Sequence, residues 1–299
     1  MKVWLVGGKG MLGTALRERL ESVGVAHVIT DLALDITDPE RVAAYAHAER
    51  PTHVLNAAGY TRVDDAEAHE EEAFRVNALG PEYLAQAATA VGARFVHVST
   101  DYVFPGDAKA PYVESAPTGP KSAYGRTKLA GEERVLAVPG AAELATIVRT
   151  SWLFGDNGPS FPKTISRLCL ERDKLEVVVD QLGRPTYTGD LADAVLDLVG
   201  IVPGRQASAP GVYHFANAGA VTWHAFAEAI RETLVRLRKR VTVDRVLPTT
   251  TAEYMKKNPS SAPRPSYSVL DTSRVEAALG RTPRDFREPL DEFLTRLYT

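Results

Sequence analysis

Val3-Trp4-Leu5-Val6-Gly7-Gly8-Lys9-Gly10-Met11-Leu12-Gly13 sets an apolar run, a glycine turn and the start of a helical pattern end to end. Four consecutive apolar residues suit a buried strand, and Met11 to Leu20 spaces its apolar residues as a helix does. Glycines at 7, 10 and 13 allow a tight turn, a close backbone approach to a pyrophosphate, and close packing of helix on strand. A helix N-terminus directly after such a turn offers free N–H groups and a partial positive charge to phosphates. Glycine marks many turns, so the trio alone is weak. Strand before and helix after make it the signature of a dinucleotide site.

The same alternation continues outward. Val25 to Ile29 is a second strand candidate, and a short helix is expected from about Pro39 with Asp38 as its N-cap. His53 to Asn56 follows as a strand, then a helical stretch from about Glu70 to Val91 in which Pro81 marks a break or a new first turn. Phe95 to Val98, Tyr124 to Leu136 and Ala145 to Val148 read as strand, helix and strand. Alternating elements of this length predict an α/β fold, a doubly wound parallel (Rossmann) sheet covered on both faces. Its ligands are expected at the carboxyl ends of the strands.

Beyond residue 150 the pattern loosens. Gly155 to Pro159 is turn-rich, Lys174 to Val179 a strand, Asp190 to Val199 a helix and Gly211 to Phe215 a strand. Trp223 to Arg238 reads as helix, and Pro248 to Pro265 as a Pro/Ser/Thr-rich loop. The expected division is interwoven: residues 1–150 with about 189–217 for the dinucleotide, and about 151–188 with 218–299 as a smaller α/β domain for substrate. The basic cluster Arg236, Arg238, Lys239 and Arg240 reads as a solvated helix end.

Composition removes several classes. The 299 residues are 44% hydrophobic and 24% charged, enough apolar surface for a core and against global disorder. Thirty-five basic and 38 acidic side chains leave a net charge of −3, with no basic excess to favour nucleic acid or an anionic membrane. Cys169 is the only cysteine, so no intrachain disulfide forms, and its apolar neighbours Leu168 and Leu170 suggest core packing. The N-terminus lacks a signal-peptide core, and no run approaches the ~18 apolar residues of a membrane span. A soluble protein of a reducing, cytoplasmic compartment is expected. The seven histidines show no metal-ligand spacing, and no metal is expected.

Two further constellations carry chemistry. Asp31 lies 18 residues after Gly13, where an acidic residue commonly bonds the adenosine ribose and favours NAD, whereas Lys9 would suit a 2′-phosphate. NADPH and NADH both remain open. Asp35-Ile36 could reach the adenine edge, with a turn cap as the competing reading of Asp35. The small residues after Asn56 (Ala57, Ala58, Gly59) suit backbone passing close to a flat cofactor.

Tyr124 and Lys128 stand at i and i+4, one helix face about 6 Å apart. An ammonium beside a phenol lowers its pKa; a shift of about three units needs roughly 4 kcal/mol. Thr100, in Ser99-Thr100-Asp101 at a strand's carboxyl end, can hydrogen-bond a substrate carbonyl oxygen.

Glycine turn, strand-end hydroxyl and Tyr-x-x-x-Lys, in that order, resemble the extended short-chain dehydrogenase/reductase superfamily over essentially the whole chain. The likeness sharpens at Asn56 to Glu67, Val98 to Gly106, Tyr124 to Glu132, Arg149 to Gly155 and Asp180 to Thr186, toward its reductases of dTDP-linked 4-keto-6-deoxy sugars. The resemblance implies reduction of a C4 ketone by NADPH or NADH, the last step in making a dTDP-linked deoxysugar. Thr100 would hold the ketone oxygen, Tyr124 would donate its proton, and Lys128 would lower the tyrosine pKa and bond the nicotinamide ribose.

It further implies that Gly10, Met11, Leu12, Asp31, Asp35 and Ile36 contact the cofactor, as do Gly59, Tyr60, Thr61 and Val98. Asp101 and Tyr102 would line the sugar pocket. Trp152 would face the hexose or else fill the domain junction. Arg264 is a candidate for the nucleotide diphosphate, against a surface arginine. Two positions depart from the family pattern. Gly59 stands for a third alanine, and Arg62 for a smaller residue whose role is open. The expected partner is a small nucleotide sugar, with a homodimer left open. A nucleotide-sugar epimerase or dehydratase is the nearest alternative, although Tyr102 rather than Glu after Asp101 argues against a dehydratase. A non-catalytic regulatory subunit similar to the β subunit of methionine adenosyltransferase is the alternative of another class.

Overall fold

The computed structural model describes residues 1–299. Its first half runs β1 (Val3–Val6), α1 (Met11–Ser22), β2 (His27–Thr30), α2 (Pro39–Glu49), β3 (His53–Asn56), α3 (Glu70–Phe74), α4 (Gly80–Ala90), β4 (Arg94–Thr100), α5 (Ala123–Ala137) and β5 (Ala145–Thr150). The second half has β6 (Leu153–Phe154), α6 (Phe161–Glu171), β7 (Leu175–Val178), β8 (Leu182–Gly183), β9 (Thr186–Tyr187), α7 (Thr188–Leu198) and β10 (Gly211–His214). It closes with β11 (Val221–Thr222), α8 (Trp223–Arg236), β12 (Val246–Thr249), α9 (Thr251–Lys257), α10 (Ser273–Leu279) and α11 (Arg287–Tyr298).

Six strands form one sheet in the order β2-β1-β3-β4-β5-β10. Every pair is parallel, with Val6 opposite both Thr30 and Asn56, and Asn56 opposite His97. This is the doubly wound sheet expected from the alternation. The chain goes outward from β1 to β2 and then returns across it to β3. The crevice of such a sheet opens where the winding reverses, above the carboxyl ends of β1 and β3.

Alternate residues of each strand feed opposite cores, as the two-residue period requires. Val3 and Leu5 face Leu12, Leu16 and Leu20 of α1 and Leu191 and Val195 of α7. Trp4 and Val6 face Val42 of α2, Leu84 of α4 and Val135 of α5. Val275 and Leu279 of α10 also join the first of these cores, so the chain returns to the main sheet after residue 218. A third apolar cluster is separate. It gathers Phe154, Ile165, Phe226, Ile230, Phe286 and Phe293, contributed largely by α6, α8 and α11, and it encloses Cys169. Three two-stranded pairings, β11 with β8, β12 with β7 and β6 with β9, complete this part.

Helix boundaries follow capping chemistry. Asp38 accepts the Arg41 amide and Pro39 supplies a preset first turn, as expected. The stretch Glu70 to Val91 is not one helix. It widens into a π-type turn at Arg75–Leu79, and Pro81 lies in the first turn of α4. The expected loop from Pro248 to Pro265 is corrected: Thr250 and Glu253 form a capping box that starts α9 inside it. The basic cluster is also partly engaged, since Arg236 pairs with Asp291 and Lys239 donates to the Tyr298 carbonyl. No helix is long and apolar enough to cross a membrane.

One buried ion pair fastens α5 to the sheet. Glu132 and Arg149 are 2% and 5% exposed, with Arg149 Nη2 2.6 Å from Glu132 Oε2. Ser99 also donates to Glu132, and Arg149 reaches the Glu114 carbonyl at 3.2 Å while lying over the Phe104 ring. Removing one partner strands the other charge away from water. Arg149→Met is therefore expected to cost about 3–5 kcal/mol in urea unfolding, and Arg149→Met with Glu132→Leu to recover most of it. A loss below ~1 kcal/mol for the single variant would contradict the pair's role.

Candidate active site

The glycine turn leaves β1 in a conformation that only glycine holds easily. Gly7 has φ +78°, and a Cβ there would sit 2.7 Å from the Ala58 amide nitrogen. A Cβ on Gly13 would lie 2.0 Å from the Gly7 carbonyl. The Gly10 N-cap has no side chain covering the start of α1, and the first turn carries no acidic residue. The first bond back along the helix runs from Thr14 to the Gly10 carbonyl, so the Met11, Leu12 and Gly13 amides have no helical acceptor. This bare, close-packed cradle fits a dinucleotide pyrophosphate.

The other expected cofactor residues divide between crevice and core. Asp31 accepts the Lys9 amide at 2.8 Å and the Leu32 amide at 3.0 Å, which fixes its carboxylate beside the glycine turn. Asp35 accepts both the amide and hydroxyl of Thr37, which lower its pKa; this is the turn-capping reading. The side chains of Leu12 and Ile36 are buried in the two cores, so each can offer a ligand only its backbone. Ala57 donates to the Val6 carbonyl, and Ala58 to Asn56 Oδ1 at 3.1 Å.

Asn77 fixes the next segment. Its side chain accepts the Tyr60 amide at 2.8 Å and donates to the Tyr60 carbonyl at 3.1 Å. A Cβ on Gly59 would meet that Asn77 oxygen at 3.2 Å, a tight contact at the position where a third alanine was expected. Thr61 is exposed. Arg62 lies over the Tyr60 ring and pairs with Asp65, a local surface arrangement.

Ser122 caps α5 by accepting the Gly125 amide. Gly125 lets the helix approach the Tyr102 carbonyl, 2.3 Å from where a Cβ would stand. Tyr124 is thereby set on the side of Thr100 and Asp101, edge-on to Tyr102 at 5.6 Å between ring centroids. Burial pushes the Tyr124 phenol upward, and Asp101 and Tyr102 add to the rise. In the cofactor-free protein, burial outweighs any lowering by a neighbouring charge. The Lys128 amine turns to the Val98 carbonyl at 2.6 Å and to His97 Nε2 at 3.3 Å. Burial brings Lys128 itself down to about 8.

Asp101 is 2% exposed. Its Oδ1 accepts the Thr100 hydroxyl at 3.0 Å, while Oδ2 has no partner, and burial raises the carboxyl to about 6. Arg264 comes to the same end of the site, 3.3 Å from the Tyr102 hydroxyl and 2.7 Å from Asp64. It is not a free surface arginine. Trp152 has φ +47°, unusual for a bulky residue, and its indole stacks on Trp223 at 3.5 Å between centroids.

Sequence reading overlooked Asn77, Asp64 and Trp223. Asn77 had a usable signal, a lone amide in the otherwise apolar run Val76-Asn77-Ala78-Leu79. Asp64 and Trp223 had none, since each acts on a residue far away in the chain.

Fold and crevice together define a dinucleotide-binding α/β protein whose tyrosine, threonine and lysine meet at the carboxyl end of the sheet. The chain belongs to the RmlD substrate binding domain family, whose model matches residues 1–299. It is 44% identical over 293 residues to dTDP-4-dehydrorhamnose reductase of Streptomyces griseus, covering 97% of this chain and 92% of that protein. The crystal structure of a dTDP-4-dehydrorhamnose reductase from Clostridium acetobutylicum superposes with a TM-score of 0.90 at 38% identity, over 100% of both chains. The Bacillus anthracis dTDP-4-dehydrorhamnose reductase, solved in complex with NADP, gives 0.88 at 34% identity over 99% of each.

The Asp101 carboxyl supplies a direct check. Its folded pKa of about 6 lies above the unfolded 3.8, so the native state retains a proton that the unfolded chain has released between those values. Stability from this group is present below about pH 4 and is lost as pH rises through about 6. Asp101→Asn should gain on the parent across that window by up to about 3 kcal/mol in urea unfolding. A difference independent of pH would contradict the assignment.

Proposed function

We propose that the chain catalyses the NADPH- or NADH-dependent reduction of the C4 ketone of dTDP-4-dehydro-L-rhamnose to dTDP-L-rhamnose. The observation that carries this reading is the placing of Tyr124 against Tyr102, just past Thr100 at the carboxyl end of β4, in the same sheet whose β1 ends in the glycine turn. Family membership over the full length supports the choice of substrate. The glycine turn, Asp31 and the Ala57 to Thr61 segment would hold the dinucleotide, which supplies the hydride.

Reduction of a ketone needs a proton on the oxygen, and a phenol kept above its usual pKa by burial is protonated when the substrate arrives. Thr100 would orient the ketone oxygen with its hydroxyl. In the resting site that hydroxyl donates to Asp101, so it must turn from the carboxylate to the substrate. Lys128, anchored on Val98, would bond the nicotinamide ribose and hold charge near the phenol once the proton has left.

Tyr102 and Asp101 would line the hexose pocket. Arg264 would answer the diphosphate by exchanging its bond to Asp64 for phosphate oxygens. Trp152 would offer the sugar an indole braced by Trp223. In this division the parallel sheet binds the dinucleotide, and the separate cluster around Phe226 carries the nucleotide-sugar side. The setting that fits is the cytoplasm, at the final reduction of deoxysugar synthesis. A homodimer is part of the proposal only as an arrangement to be measured by ultracentrifugation.

Purified protein supplied with NADPH or NADH and the 4-keto sugar should consume the dinucleotide and yield the 4-hydroxy product by NMR. No oxidation with either cofactor would favour a binding role instead. Tyr124→Phe should lower kcat by about 10²–10⁴ while the dissociation constant for NADPH changes little, because only the proton donor is lost. Turnover at the parent rate would remove Tyr124 from the mechanism.

A further inference from the structure

The protonation state of Lys128 is settled by a chain of hydrogen bonds that begins on β3. Asn56 Oδ1 accepts the Ala58 amide at 3.1 Å, which turns the Asn56 Nδ2–H group toward His97 Nδ1, also 3.1 Å away. An amide NH₂ can only donate, so His97 Nδ1 must be the accepting, unprotonated nitrogen. His97 is fully buried, and burial pushes its pKa well down, so the ring is neutral and carries its single proton on Nε2. That N–H faces Lys128 Nζ at 3.3 Å. An ammonium has three donors and no lone pair, whereas a neutral amine can accept from His97 and still donate to the Val98 carbonyl at 2.6 Å.

We infer that the Asn56–His97 pair holds Lys128 as a neutral amine in the cofactor-free protein, making His97 a positioning residue that governs when this lysine takes up its proton. The inference deepens the proposed reaction, since it concerns the lysine of that same site. The groups around Nζ agree with it. Glu132, one turn further along α5, favours the charged form, but its charge is already answered by Arg149. Tyr124, one turn earlier, is neutral, and β4 presents only His97. From the β3 side comes Gly59, without a side chain. Burial brings the amine down only to about 8, still above neutrality, and the His97 N–H carries it the rest of the way.

Charging Lys128 requires the chain to be rewired. His97 must carry its proton on Nδ1, the Asn56 amide must turn over, and the Ala58 N–H must lose its acceptor. Ala58 forms the wall of the crevice against Gly7. Uptake of a proton by the lysine and release of a backbone amide beside the dinucleotide cradle are thus two ends of one network.

The test reads protons rather than turnover, so it stands whether or not the sugar assay succeeds. Cofactor-free protein labelled with ¹⁵N-histidine and ¹⁵N-lysine is examined by long-range ¹H–¹⁵N correlation, with His97→Gln and Lys128→Met assigning the signals. A pyrrole-type Nε2 and pyridine-type Nδ1 on His97, with an amine-type Lys128 at neutral pH, are expected. In His97→Gln the side-chain oxygen can accept from an ammonium, and the Lys128 midpoint should rise by a pH unit or more, a tenfold change in the equilibrium. Asn56→Asp, whose carboxylate accepts from Nδ1–H, should raise it likewise. An Nδ1–H tautomer in the parent, an ammonium-type Lys128 at neutral pH, or an unmoved midpoint in a folded variant overturns the inference.

Discussion

Glu132 lies on the sheet side of α5, where a carboxylate persists only if its charge is answered. Arg149 from β5 and Ser99 from β4 answer it together, and the three groups join the helix to two neighbouring strands. Tyr124, Lys128 and Glu132 are spaced four residues apart on α5, so fixing the last fixes the face that all three share. With that face set, the phenol stands on the side of Thr100 and the amine meets Val98. The Ser122 cap and the close approach at Gly125 hold the other end of the helix against the Tyr102 segment. A buried pair of this kind adds little net stability over apolar packing, but it tolerates only one register.

The reaction centre is therefore drier than spacing alone conveys. Four ionisable groups, His97, Asp101, Tyr124 and Lys128, lie close together, and desolvation is the first cause of each shift. Each is driven toward its uncharged form. Such a site moves protons without first stripping water from charges, and it suits a carbonyl reduction in which negative charge appears on the substrate oxygen only as the hydride arrives.

What could be read in advance was what is local. The strand, glycine turn and helix at residues 3–20 announce themselves because each signal sits beside the next, and the Tyr124–Lys128 spacing places both on one face whatever surrounds them. The upward shift of Tyr124 in the cofactor-free protein was not legible for the complementary reason. A four-residue spacing gives proximity but not burial, and burial decides the sign of the shift. Residues 248–265 were misread because their flanking prolines outweighed a Thr250–Glu253 capping pair that was legible in the sequence. Arg264 was singled out by type, yet its partner Asp64 lies 200 residues earlier, and only the fold brings the two together.

The helix at Ser273–Leu279 has a consequence for how the chain reaches this structure. No two neighbouring strands of the main sheet are joined by a hairpin, so each pairing must close a long intervening segment, a topology that folds slowly. The last strand is complete at His214, but the apolar surface shared by α7 and β10 is covered by Val275 and Leu279, made much later. On the ribosome, the emerging polypeptide holds all six strands while one flank of its core is still open to water, and synthesis must run on past Leu279 before that flank is sealed.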